Sequence, residues 1–210
     1  MKTIIAAAAS VLLLATTASA ADFEEGVHYR ELAEQQSTQT GDKVEVRELF
    51  WYQCPHCYNL EKPLRDWIAN MPDNAAFVEQ PAVLTSSWEF HARVYYTLQA
   101  LGVLDEFHGP LFDAIHKKPR PLNRVTDPNR VAAWLAESGG PSAAEFMNAF
   151  ESFAVDTHTR NAVLMTGRYE ITGVPSVAVG GKYITTVTMA GNYDTFFKVI
   201  EHLIELASQS

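Results

Sequence analysis

Residues 44–60 read VEVRELFWYQCPHCYNL. Over 44–52 the side chains alternate with period two, which places Val44, Val46, Glu48, Phe50 and Tyr52 on one face of a strand and Glu45, Arg47, Leu49 and Trp51 on the other. Past the tetrapeptide Cys54-Pro55-His56-Cys57 the period changes: Leu60, Leu64, Trp67 and Ile68 recur at helical spacing, with Pro63 as a kink and Met71-Pro72 as the stop. Cys54 therefore sits where a strand gives way to a helix. A second strand over 76–83 completes a strand-helix-strand unit.

Beyond this unit the chain turns helical. Phe90, Val94, Leu98 and Leu101 mark one helix ending at Gly102, and Leu111, Phe112 and Ile115 mark another that opens after Gly109-Pro110. Asp127-Pro128 caps a third, stopped by Gly139-Gly140, and Phe146, Ala149, Phe150 and Phe153 share the next. Residues 85–160 read as an all-helical block with a loop around Pro119 and Pro121. Strand grammar returns over 174–179 and 182–187, joined by Gly180-Gly181 in a hairpin signal. From Tyr193 onward Phe196, Phe197, Ile200, Leu203, Ile204 and Ala207 give a closing helix one apolar face.

Composition narrows the class. With 47% hydrophobic and 20% charged residues in 210, the chain has material for a sizeable core, and disorder or low complexity is excluded. Sixteen basic against 25 acidic residues leave a net charge of −9, which argues against a nucleic-acid partner. Lys2, the apolar run over 4–15 and the small residues Ala18-Ser19-Ala20 follow the grammar of a secretory signal peptide cleaved after Ala20. The run is too short for a membrane anchor, which needs roughly 18 residues. An exported chain meets an oxidising compartment, yet its two cysteines lie in one tetrapeptide. So small a ring stabilises least, and the sulfurs read as chemical.

The CPHC motif at the first helix, the ELFWYQ strand before it, Gly173-Val174-Pro175 ahead of the hairpin, the helical block and the export signal together resemble the DsbA family of periplasmic disulfide oxidants in the thioredoxin superfamily. The resemblance implies an α/β thioredoxin fold with a helical insertion domain. A signal peptide over 1–20 would precede a discontinuous thioredoxin-like domain, 21–84 and 161–210, interrupted by the insertion over 85–160. It implies a periplasmic thiol:disulfide oxidoreductase that donates its disulfide to reduced, newly exported proteins. A quinone-linked membrane oxidase of the DsbB type would then reoxidise it. No organic cofactor, metal ion, nucleic acid or stable membrane insertion is implied, and the chain is expected to be a monomer. A low thiol pKa and an oxidising potential are likewise implied.

Physical chemistry supports roles for the same residues. A helix N-terminus stabilises a thiolate on Cys54, helped by Pro55-His56 between the cysteines, so Cys54 is the nucleophile and Cys57, one turn on, the resolving thiol. Were Cys54 to ionise near pH 4, the reduced form at pH 7 would gain on the order of 4 kcal/mol, or about 90 mV of oxidising power. Glu48 shares a face with apolar residues, so burial would raise its pKa, and the resemblance implies proton exchange with Cys57. The resemblance further implies a cis Val174-Pro175 bond facing the disulfide, beside which an extended client can pair. Alternatives remain open: half of a zinc site, a structural bridge, a Glu48 that reaches water or a basic partner, and a trans Pro175 opening an edge strand. Trp51 either covers its side of the strand or borders the site, and the histidines other than His56 read as ordinary. An isomerase or reductase using the same sulfurs, or a non-catalytic holdase, would be the competing functions.

Overall fold

The computed structural model describes residues 23–209; the expected export signal lies outside them. The alternating stretch forms β2 (Val44–Phe50), preceded by a short β1 (Arg30–Glu31) that carries no signal in the sequence. With β3 (Ala75–Pro81), β4 (Ser176–Val179) and β5 (Tyr183–Thr185) they make one mixed sheet in the order β1-β5-β4-β2-β3. Strand β2 runs parallel to β3 and antiparallel to β4, and β5 is antiparallel to both β4 and β1.

Lying inside the sheet between β4 and β3, with side chains packed over each face, β2 is buried on both. Val46 joins a cluster with Leu60, Leu64 and Trp67 of α1 (Pro55–Ile68) and with Val199, Ile200 and Leu203 of the C-terminal helix. Leu49 packs instead with Tyr169, Ile171 and Ile184. Polar residues of that second face pair with one another: buried Arg47 donates to Glu45 at 2.7 Å and to the Gln80 carbonyl oxygen at 2.8 Å, which leaves the Gln80 amide nitrogen without a protein partner. Helix α1 runs unbroken through Pro63, its buried face outweighing one missing backbone bond.

After a 3-10 turn over Ser86–Trp88, the helical block comprises α2 (Glu89–Ala100), α3 (Leu104–His116), α4 (Pro128–Glu137), α5 (Ala143–Phe150) and α6 (Phe153–Arg168). Three boundaries of this block differ from expectation. Helix α3 starts at Leu104 and carries Gly109-Pro110 in its interior, because burying Phe107, Leu111, Phe112 and Ile115 along one face overrides the local break. Phe153 does not extend the Phe146 helix. Ser152 caps a new one, its Oγ accepting from the Val155 N–H at 3.3 Å, and Phe153 lies 80% exposed at the first turn. Helix α6 continues to Arg168, so position 160 falls inside it; its Thr166 accepts from the Val83 N–H at 2.9 Å and ties the block to the sheet.

Beyond the hairpin, Thr186 accepts from the Met189 N–H and starts a single helical turn, α7 (Val187–Ala190), where a strand residue was expected at Val187. Helix α8 (Tyr193–Ser208) closes the chain. The block's core residues Leu98, Phe112, Leu135 and Phe146 belong to one cluster with Phe50, Tyr52, Cys54 and Cys57. The insertion thus packs directly against the end of β2 that carries the cysteines. Among the described residues no helix is long and apolar enough to cross a membrane.

Candidate active site

Cys54 is the N-cap of α1, with extended backbone angles (φ −80°, ψ 116°), and its N–H donates to the Trp51 carbonyl at 2.9 Å to close the turn out of β2. Pro55 occupies the first helical turn, where its missing N–H costs nothing. The Cys57 N–H, one of the helix's otherwise unpaired donors, points back to the Cys54 Sγ at 3.4 Å. Both cysteines are free thiols here. Cys57 is fully buried and Cys54 is 7% exposed, while Pro55 and His56 stand in solvent.

This setting splits the two thiols. Cys54 is lowered to about 6 by the hydrogen bond from the Cys57 thiol, then by the Cys57 and His56 N–H groups and the His56 charge, against the opposing effect of burial. Cys57 is pushed well above the ordinary thiol value by burial, by its bond to Cys54 and by nearby Glu48. One sulfur ionises and the other keeps its proton. At pH 7 the Cys54 thiolate favours the dithiol by about 1.4 kcal/mol, or roughly 30 mV, since only the part of the shift below ambient pH counts. That is about a third of the gain expected for ionisation near pH 4.

The Val174-Pro175 peptide bond is cis, not trans at an edge strand, and the Val174 carbonyl lies 3.5 Å from the Cys54 Sγ across 120 residues of sequence. Immediately after it β4 begins, with Ser176 in register with Leu49. A cavity of about 450 Å³ opens beside the bond, walled by His56, Val174, Pro175, Met189 and Tyr193. Short α7 and the start of α8 supply its far wall, which nothing in the motif announced. The structure therefore brings Cys54, His56, Val174 and Pro175 to one surface.

Glu48 lies behind them at 1% exposure, so it neither reaches water nor forms an ion pair, and its Oε2 finds no protein partner. Burial first, then the charges of Glu61 and Glu79 and of Cys54, raise it well above the carboxylate range. The groups around it escaped the sequence reading. His108, which nothing in the sequence distinguishes from an ordinary histidine, is 3% exposed, shares a hydrogen bond of 2.8 Å with the Tyr52 hydroxyl and faces Glu61 Oε1 at 3.3 Å and Glu79 Oε1 at 3.7 Å. Glu61 had a findable signal, because it lies four residues after Cys57 on one helix face. Burial pushes its carboxyl up, but His108 and Arg65 together hold it below the ordinary value. Glu79 is raised, chiefly by burial. His108 had no such signal, because only the tertiary fold brings α3 here.

Trp51 does both things the sequence allows: half-buried against the core it covers its side of the strand, and it lines a cavity beside Pro55. It stacks on Trp88 at 4.2 Å and 2° between planes and donates to His91 Nδ1 at 3.3 Å. Burial depresses His91 to about 4, which suits an acceptor role. Among the described residues, Glu61, Glu79 and His108 bring potential metal-ligand atoms within 4.8 Å of one another, and neither cysteine belongs to that group.

The DSBA-like thioredoxin domain family matches residues 45–201. The thiol:disulfide interchange protein DsbA of Pseudomonas syringae pv. tomato is 35% identical over 208 residues, covering 98% of this chain and 95% of the relative. That of Azotobacter vinelandii is 36% identical over 204 residues, 96% and 94% of the two chains. Among solved structures, Pseudomonas aeruginosa DsbA matches with a TM-score of 0.81 at 32% identity, over 90% of this chain and 97% of that one. Oxidoreductase DsbA from Xylella fastidiosa gives 0.82 at 26%, over 89% and 98%. With a nucleophile-like thiol at a helix N-cap, a cis proline against it and a helical insertion in the sheet's chain order, the chain belongs to the DsbA-like family of thioredoxin-fold thiol:disulfide oxidoreductases.

Proposed function

We propose that the chain works as a disulfide donor to reduced proteins arriving in the periplasm. A client thiolate attacks the Cys54 sulfur of the Cys54–Cys57 bridge, and Cys57 leaves, taking a proton from the neutral carboxyl of Glu48. A second client thiolate then attacks the client sulfur of the mixed disulfide and expels Cys54 as a thiolate. Two electrons have passed to the enzyme, and the client holds the new bridge. Cys54 is the better leaving group because its anion is the stabilised one.

Val174 and Pro175 line the client's path. Their backbone offers main-chain pairing to an extended segment, which favours chain shape over particular side chains. The dithiol is returned to the disulfide by a quinone-linked membrane oxidase of the DsbB type.

The observation that carries this reading is the placement of two sulfurs one helical turn apart, Cys54 at the helix N-cap accepting the Cys57 N–H and Cys57 fully buried behind it, a setting that makes the first acidic and not the second. The test is oxidation of a reduced, unfolded client by the purified disulfide form. Wild type should transfer its bridge stoichiometrically, whereas Cys57→Ala and Cys54→Ala, neither of which can hold the bridge, should leave the client reduced; Cys57→Ala loaded beforehand at Cys54 as a mixed disulfide with glutathione should exchange the glutathione for a single-cysteine client and trap it. A Cys54→Ala protein that still assists the client equally would replace the enzyme reading with that of a holdase.

A further inference from the structure

The loop between α3 and α4 gathers positive charge beside the motif. Lys117, Lys118, Arg120 and Arg124 fall within eight positions, a quarter of the chain's 16 basic residues, and no Asp or Glu occurs between Asp113 and Asp127. All four are exposed. Lys117 faces Asp113 at 3.7 Å, whereas among the described residues the Arg120 guanidinium donates to the His116 carbonyl, at 2.7 Å, and faces no carboxylate within 4 Å. Loops of mixed charge are common on a protein of net charge −9; one that excludes carboxylates is a local reversal of sign.

The loop is also built to hold its shape. Leu122 and Val125 are buried, Arg130 donates to the Pro121 carbonyl at 2.6 Å, and the Arg124 N–H reaches the Gln53 Oε1 at 3.3 Å, one residue before Cys54. His116 bonds the Tyr52 carbonyl at 2.7 Å. Arg120 and Arg124 both adopt the left-handed region, at φ 58° and 53°, where glycine or asparagine would fit without strain. Long charged side chains held at such positions point to a use for the side chain.

Between this loop and the motif lies a cavity of about 510 Å³, walled by Trp51, Pro55, Tyr58, His116, Arg120 and Arg124. It is concave, its wall combining the rings of Trp51, Tyr58 and His116, two arginines and the side-chain amides of Gln53, Asn59 and Asn123, and none of its lining residues is acidic. The cavity beside Pro175, on the same active-site surface, has no acidic lining residue either. A flat anionic surface would meet the exposed lysines but not this recess. Pro55, the residue after Cys54, forms part of the recess wall, so the recess lies next to the sulfur to which a client cysteine would be joined.

We propose that the 117–124 loop and the recess beside Pro55 dock acidic side chains of the reduced client, close in sequence to the client cysteine, and so select among clients by charge. The inference rests on the disulfide-donor reading above and deepens it. Its effect belongs to association: a rim charge accelerates encounter and is screened by salt.

The experiment uses the full mature disulfide form and two dithiol peptides that differ only in Asp-Asp or Asn-Asn beside the first cysteine. Wild type should oxidise the acidic peptide about tenfold faster at low ionic strength, and the advantage should shrink as salt rises. Arg120→Asn/Arg124→Asn, chosen because asparagine tolerates the left-handed backbone, should oxidise both peptides at the neutral peptide's rate. Equal rates in wild type, or an acidic preference that survives in the variant, would overturn the docking site. So would binding of wild type to anionic phosphatidylglycerol vesicles that depends on both arginines while the peptide rates stay equal. Failure to oxidise the neutral peptide at all would instead strike the donor reading, so the two failures are separable.

Discussion

Glu48 and Glu79 are register partners across the parallel strands β2 and β3, which sets two carboxyl groups side by side on one face of the sheet. Like charges so placed oppose each other's ionisation, and Glu61 of α1 adds a third. The structure distributes the charge unevenly. Glu61 is held as the anion by His108 and Arg65, while Glu79 and above all Glu48 are driven toward the neutral acid. The protonated carboxyl nearest the sulfurs follows from that division.

Glu48→Gln should stabilise the fold increasingly as pH rises. Glu48's folded pKa lies above its unfolded value near 4.3, so wild-type stability from this group is intact below that pH and is lost as pH climbs toward the folded pKa. The loss runs at about 1.4 kcal/mol per pH unit across the window. Urea denaturation of the two oxidised proteins between pH 4 and pH 8 checks it, together with the pH profile of thiol exchange, which the variant should flatten. Parallel stability curves would mean that Glu48 ionises normally.

His108→Ala should destabilise by about 2–4 kcal/mol, because the fully buried Tyr52 hydroxyl would lose its partner and the half-buried Glu61 its hydrogen-bonded neighbour. Thermal unfolding measures this. A loss under about 0.5 kcal/mol would show that the cluster is not held together through the imidazole.

His56→Leu should raise the Cys54 pKa by less than about one unit, as its charge is the last of the influences on that sulfur while the Cys57 hydrogen bonds remain. Thiolate absorbance against pH, compared with wild type, reads the shift. A larger rise would make the imidazole, not the helix end, the main source of acidity.

What could be read from the chain and what could not divides by distance along it. The alternation over 44–52, the helical spacing after Cys57 and the Gly180-Gly181 turn are local, and each marks its element, although β2 stops at Phe50 where the turn into Cys54 begins. Pro110 misled because propensity is a local penalty that the buried face of α3 overrides, and Phe153 because a serine cap outranked apolar periodicity. Cys54 was visible as a helix cap, but its contact with Val174 spans the whole insertion and came only through the family resemblance. His108 had neither a motif nor a local pattern, and the basic recess depends on a loop whose prolines interrupt its charges.

The central claim is that Cys54 is acidic because the first turn of α1 and the Cys57 thiol stabilise its anion. Titrating the reduced protein by ultraviolet thiolate absorbance, with Cys57→Ala as a control that isolates the Cys54 signal, tests it directly. Its stabilising effect on the dithiol grows above the folded pKa and vanishes as pH falls through it. The account predicts a midpoint near pH 6 for wild type, with a higher one in the control, which lacks the thiol hydrogen bond. A wild-type midpoint at the ordinary thiol value of about 8.5 would contradict it.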